Sequence, residues 1–276
     1  YRHGTIVAAL DGADAAQLAI LADFLAGRGR DVDRLTGREL RRVEPTLGPN
    51  VRSGLLVPGD LAVDNRELLH RLTSAAEEAG VEFVRSQASS VRPGAVELPD
   101  TVLRCDLAVI AAGAWSGALH PALASAVRPV KGEILRLRAR RGALPPPKHT
   151  VRAVVESHPV YLVPRAGDEL VVGATQYEAG FDAEVTAGGV RDLLLYAERV
   201  MPGIAEYGLA ECAAGLRAGS PDNLPLVGRL EPGVLVAAGH HRNGLLLAPI
   251  TASAVRTMAA GGDEPLMKIA DPLRNA

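Results

Sequence analysis

Cysteine is scarce in this chain, and so is lysine. Two cysteines in 276 residues, Cys105 and Cys212, cannot build a disulfide framework, and neither stands in a CxxC pair of the zinc-binding kind. Lysine occurs only at Lys131, Lys148 and Lys268 among 30 basic residues. The remaining basic residues are arginines scattered along the chain, and their densest runs, at 38–42 and 136–141, read as solvated faces rather than a phosphate track. With a formal net charge of −2, nucleic acid is excluded as the main partner. No apolar run approaches the ~20 residues of a membrane span, so a membrane is excluded as well. Tyr1-Arg2-His3-Gly4 has no basic segment leading into a long apolar stretch, and the expected location is the cytoplasm. Also missing are the GxSxG elbow, the GxxxxGK[ST] phosphate loop, the HExxH zinc helix and the GxGxxG fingerprint, so no metal is expected. The chain starts at Tyr1 instead of methionine, and further residues are expected upstream.

What is present is enough apolar material for a sizeable core: 47% hydrophobic against 22% charged residues, a folded composition. Thr5 to Leu10 reads as a strand, Ala13 to Ala26 as a helix stopped by glycines, Gly37 to Val43 as a short helix and Gly54 to Val57 as a strand. Asp64 caps a helix with Glu67 three residues on, and Leu68, Leu69 and Leu72 form its apolar face. Strands follow at Val81 to Arg85 and at Leu107 to Ile110, the second an unbroken apolar run of the kind covered on both faces. From Val127 the texture alternates, at Val130 to Leu137, Val151 to Val155, Tyr161 to Val163 and Leu170 to Val172, which predicts an antiparallel sheet. A helix at Ala187 to Val200, strands at Glu211 to Leu216 and Val234 to Ala238, and a helix from Gly244 to about Ala259 complete the chain. The fold class is α/β, with two interleaved units. A doubly wound unit takes 61–126 and 211–276, and a mostly antiparallel sheet takes 1–60 and 127–210.

Three segments could carry chemistry. Leu107 to Gly117 is a strand running into a glycine turn, where Gly113 either lets backbone approach a ligand or makes an ordinary turn. Gly239-His240-His241-Arg242-Asn243-Gly244 joins a buried strand to a helix N-terminus, whose unpaired N–H groups and dipole suit an anion. Adjacent histidines without an acidic or cysteine partner make a poor metal pair, and Arg242 is either a ligand contact or a solvated charge. Arg217 ends a strand before the turn-rich 219–225 loop, suited to bidentate carboxylate capture or to a structural salt bridge. Cys105 reads as a small core residue.

Val130-Lys131-Gly132-Glu133, Tyr161-Leu162-Val163-Pro164-Arg165, Val172-Gly173-Ala174-Thr175, Gly215-Leu216-Arg217, Pro221-Asp222-Asn223-Leu224-Pro225 and the stretch from Gly239 to Pro249 occur in this order. Together they resemble the FAD-dependent amino acid oxidases of the D-amino acid and sarcosine oxidase type, most closely the glycine oxidase branch of thiamine biosynthesis, over nearly the whole chain. The resemblance implies non-covalent FAD in a doubly wound unit, interleaved with an antiparallel substrate-binding sheet. It implies oxidation of glycine or a similar small amino acid to the imine, with O2 reduced to H2O2. Arg217, Tyr161 and Arg242 then bind substrate. Ala88, Gly113, His240, His241, Arg242, Asn243, Gly244, Leu245 and Leu246 hold the cofactor. No residue acts as a catalytic acid or base, since the protein only orients, and a homo-oligomer is compatible with this. The pattern departs from the family in three places. Gln176 stands where an apolar residue lines the amine side, and Ala218 stands where proline often follows the arginine. The family's first βαβ, at least ~30 residues carrying the glycine loop, is missing. A remnant of the fold without flavin, or an oxidase of different substrate preference, is the alternative.

Overall fold

The computed structural model describes residues 1–274. In chain order the elements are β1 (Thr5–Ala9), α1 (Gly12–Gly27), β2 (Asp33–Thr36), α2 (Gly37–Val43), β3 (Ser53–Val57), α3 (Asn65–Glu78), β4 (Ser90–Arg92), β5 (Ala95–Glu97), β6 (Val102–Arg104) and β7 (Ala108–Ile110). They continue with β8 (Arg128–Ala139), β9 (Thr150–Val155), β10 (His158–Arg165), β11 (Glu169–Gly173), α4 (Ala187–Val200), β12 (Tyr207–Gly219), β13 (Leu226–Glu231), β14 (Val234–Ala238) and α5 (Gly244–Ala259). The chain divides into two compact units. Unit 1 takes 1–81, 133–175 and 184–214; unit 2 takes 82–132, 176–183 and 215–276. The segment 61–81, with α3, thus groups with unit 1.

Unit 1 is built on an eight-stranded sheet in the order β12-β8-β11-β10-β9-β1-β3-β2. The pairs β8·β11, β11·β10, β10·β9, β1·β3 and β3·β2 are antiparallel, and β1·β9 is parallel. Alternation sorts the side chains. Leu135, Leu137, Val160, Leu162, Leu170 and Val172 turn to one face and pack with Leu193, Ala197 and Val200 of α4 in the unit's core. Each such side chain contributes ~1.5–3 kcal/mol on burial. The opposite face carries Tyr161, Val163, Val171 and Ile134 by the same period of two. Glu133, fully buried, anchors the start of α4: its Oε1 accepts from Thr186 N at 2.7 Å and its Oε2 from Thr175 Oγ1 at 3.1 Å.

Unit 2 has two small sheets, β13-β14-β7 and the antiparallel β4-β5-β6. In the first, β14 pairs antiparallel with β13 and parallel with β7. One core lies on either side of β14, with Val234 and Val236 in the first and Leu235 with Ala254 and Met258 of α5 in the second.

Three sequence expectations are corrected. Val81 to Arg85 is not a strand: no strand among the described residues pairs with it, and Val81, Phe83 and Val84 stand about half exposed. A strand needs an external hydrogen-bonding partner, which residue pattern alone cannot supply. β7 is not covered on both faces, since Val109 is 43% exposed. The Leu68-Leu69-Leu72 stripe of α3 contributes no fully buried side chain: Leu68 is partly covered, and Leu69 and Leu72 remain exposed. That helix stands on local terms: the Asp64 carboxylate accepts from Arg66 N and Glu67 N, and Glu67 pairs with Arg71 one turn on.

Candidate functional site

In unit 2, Arg217 lies near the end of β12 with its guanidinium against the backbone of β8. Nη1 donates to the Lys131 carbonyl at 3.3 Å. A Cβ on Gly132 would overlap Nη1, Nη2 and Cζ of Arg217, so the absent side chain at 132 is the space the guanidinium fills. Lys131 is 1% exposed. Its Nζ bonds Asp182 Oδ2 at 2.9 Å, and its N and O pair with Tyr177.

His241 is held below the ordinary imidazole range, first by burial and then by Arg217, Arg242 and Arg128. Arg128 itself pairs with Glu178 at 3.3 Å. The loop that brings His241 and Arg242 there is shaped by its backbone. Gly239 has φ +72, with Leu226 Cγ only 3.1 Å from where a Cβ would stand, and His241 takes the left-handed region at φ 49. His240 is half-buried, is kept below the ordinary imidazole range by burial, and meets Thr251 Oγ1 at 3.0 Å.

Asn243 opens α5 without any side-chain cap, whereas Asp11, Thr36, Asp64 and Thr186 cap α1 to α4. The first-turn N–H groups of α5, starting at Gly244, therefore lack the side-chain acceptor the other helices have. Leu245 and Leu246 beside them are exposed. A cleft of about 880 Å³ in the same unit is lined by Ala88, Val109, Ala111 and Ala112 among others. A second, of about 370 Å³, shares Ala88 and Ala112 and adds Trp115. Gly113, next to Ala112, has φ +56 and open space where a Cβ would be. Among the described residues no cluster could hold a metal ion.

In unit 1, Tyr161 lies across β11: a Cβ on Gly173 would overlap the phenol ring and hydroxyl. In register, Tyr161 opposes Gly173, which opposes Ile134.

Arg217, Arg242 and Arg128 all disfavour a charge on His241, and Arg128 is itself paired with Glu178. Ala88 and Ala112, next to Gly113, lie on a cleft, and Tyr161 lies on the sheet face opposite the core of unit 1. The motif reading did not assign roles to Gly132, Gly173 and Lys131. A glycine inside a strand is a sign of close approach by another group, but it does not name the group that approaches. The 220–225 loop is braced from within and from outside: Ser220 Oγ donates to Leu224 O at 2.6 Å, and Arg274 grips Asp222 through both carboxylate oxygens.

Comparison with known proteins adds the following. Residues 1–258 match the family described as FAD dependent oxidoreductase. The chain is 34% identical over 226 residues to the bifunctional protein ThiO/ThiG of Nostoc sp., covering 78% of this chain and 33% of that protein. It is 34% identical over 241 residues to a glycine oxidase of Geobacillus kaustophilus, covering 83% of this chain and 62% of that protein. The crystal structure of glycine oxidase from Geobacillus kaustophilus superposes with a TM-score of 0.91 at 31% identity, covering 100% of this chain and 76% of that one. The chain therefore spans a third to somewhat under two thirds of these curated relatives.

Proposed function

The chain belongs to the FAD-dependent oxidoreductase family, and from that premise we propose that it oxidises glycine or a similar small amino acid. The carboxylate receptor is Arg217, whose guanidinium is seated on Gly132 and bonded to the Lys131 carbonyl. This seating is the observation that carries the reading. A planar guanidinium matches a carboxylate with two parallel hydrogen bonds. Tyr161, across Gly173 on the sheet of unit 1, is read from the family resemblance as a hydroxyl that binds substrate. Capture of the carboxylate by both arms of the guanidinium fixes the Cα–H direction and turns binding energy into orientation.

FAD fits unit 2. The uncapped start of α5 offers N–H groups and dipole potential for negative charge, and Ala88 and Ala112, next to Gly113, line two clefts in the same unit. Ala88, Gly113 and the run from His240 to Leu246 would hold the group. When bound, FAD supplies a two-electron acceptor that passes the electrons to O2. In net terms the amino acid loses two electrons and two protons to become the imine, and O2 takes both to become H2O2. His240 and His241, both held below the ordinary imidazole range chiefly by burial, scaffold the loop; neither is assigned a proton transfer. Similarity to ThiO/ThiG supports a place for the imine in thiazole assembly for thiamine.

The test is peroxide release by the chain supplied with FAD, with glycine compared against methylamine, which lacks the carboxylate. Arg217→Ala should lower kcat/KM for glycine by about 30-fold to several thousand-fold, the equivalent of ~2–5 kcal/mol for a truncated buried charge pair. Methylamine should be little affected, and Arg217→Lys should recover only part of the loss. Equal slowing of both substrates would remove Arg217 as the carboxylate receptor. A colourless protein that FAD does not stabilise would favour the flavin-free alternative, and flavin retained after acid precipitation would contradict non-covalent binding.

A further inference from the structure

We propose that Lys131 and Gly132 are positioning residues that set the direction of the Arg217 guanidinium, and that Lys131 couples this direction to the 176–183 segment. The proposal rests on reading Arg217 as the carboxylate receptor. Three observations converge on these two residues. The guanidinium occupies the volume a Cβ at 132 would need, so its plane lies on the strand backbone. The Lys131 carbonyl takes a proton of Nη1 at 3.3 Å, holding the fork from that side.

The third observation is that Lys131 is itself fixed by three bonds to one segment. Tyr177 N donates to its carbonyl at 3.0 Å, its own N donates to Tyr177 O at 2.9 Å, and its Nζ reaches Asp182 at 2.9 Å. The same carbonyl oxygen thus serves both Tyr177 and Arg217. Further pairs hold the segment: Arg128 with Glu178, and Trp115 with Phe181 at a ring separation of 6.0 Å. A buried lysine among few lysines is costly to desolvate unless it is paired. Here the pairing ties a surface segment to the backbone that seats the arginine.

The physical consequence is a receptor whose geometry is set before substrate arrives. A guanidinium on a flexible stem loses rotamer entropy when it binds; one already seated on Gly132 and bonded to a fixed carbonyl loses less, and the gain appears only for ligands that use the fork. Removing the seat should therefore weaken carboxylate ligands selectively. A merely structural role would change stability without separating charged from neutral ligands.

The experiment titrates the 276-residue chain with glycolate and with its neutral counterpart glycolamide, following the Arg217 Nε–H resonance, assigned by its loss in Arg217→Ala. Gly132→Ala should weaken glycolate by about 10- to 150-fold, the effect expected for one misaligned hydrogen bond to a charged group, with glycolamide unchanged. Lys131→Met and Asp182→Asn should act in the same direction by smaller factors, and Lys131→Arg should restore part of the affinity. Wild-type glycolate affinity in both Gly132→Ala and Lys131→Met would overturn the proposal. If Gly132→Ala does not fold, the Lys131→Met and Lys131→Arg pair decides: unchanged glycolate affinity in both overturns it, and loss followed by partial recovery supports it. Arg217→Ala separates the two levels. If it leaves glycolate binding intact, the carboxylate reading itself is wrong; if it abolishes binding while the Gly132 and Lys131 variants do not, only the positioning role is wrong.

Discussion

Gly173 and Tyr161 behave as one residue pair. A Cβ at 173 would meet the phenol ring, with Cε2 at 2.8 Å, so the ring position depends on that glycine. Gly173→Ala should push the hydroxyl away and raise KM for glycine by about 10- to 150-fold, as loss of one hydrogen bond to a carboxylate does. Tyr161→Phe should do the same, and the double variant should be no worse than either single one. Additive losses in that cycle would show that the glycine serves something other than Tyr161. The histidines of the 239–244 loop make a separate residue-scale prediction. Burial lowers His240, so the folded chain keeps it neutral where the unfolded chain begins to take a proton. Its contribution to stability is full above the ordinary value of 6.5 and is lost as pH falls below it. His240→Gln keeps a hydrogen-bonding group near Thr251 without the titration. Denaturant midpoints between pH 8 and pH 5 should therefore fall less steeply in the variant, by less than the one-proton limit of about 1.4 kcal/mol per pH unit. Equal slopes would exclude His240 as a source of acid sensitivity.

Among the elements, the turn between β12 and β13 depends on a side chain far along the chain. Arg274 donates to Asp222 Oδ1 and Oδ2, Leu224 O and Pro225 O at 2.7 to 3.0 Å. Its guanidinium, first among the causes, holds the Asp222 carboxyl well below the ordinary range. Arg274→Ala should cost roughly 1.5–3 kcal/mol and speed amide exchange at Leu224, whose N–H is held by Asp222 Oδ1; unchanged exchange there would mean that the turn stands by itself. This clamp could not be read from sequence, because nothing in the spacing of 222 and 274 marks them as partners. Other elements were legible. The alternation from Val130 to Val172 marked β8 to β11, and α4, β14 and α5 fall where caps, glycines and apolar runs put them. The three-residue strands β4 to β6 were not, since at that length neither alternation nor propensity exceeds ordinary loop composition. Val81 to Arg85 erred the other way: β-prone residues need a neighbour, and pattern does not show whether one exists. At the site, Arg217, His241 and Arg242 stood out as polar residues bounded by glycines, while the use of Gly132 as a seat depends on a strand 85 residues away.

Over the chain as a whole, no helix among the described residues is long and apolar enough to cross a membrane, and the apolar residues collect into separate cores. One belongs to unit 1 and two to unit 2. Each unit thus has a driving force of its own, which predicts that a ligand held by unit 2 stabilises unit 2 first. Trp115, the sole tryptophan, lies in unit 2, so its fluorescence reports that unit. If FAD is held by Ala88, Gly113 and the 240–246 run, saturating it to 100 times its Kd should raise the tryptophan-detected stability by about 2.7 kcal/mol. Amides of β9 and β10 in unit 1, followed by hydrogen exchange, should gain much less protection, because the cofactor residues assigned here are all outside that unit. Equal gains in both units would show that the cofactor draws on residues of unit 1 as well. A gain confined to β9 and β10 would move the FAD site off unit 2 and, with it, the roles assigned to the α5 N-terminus and to Gly113.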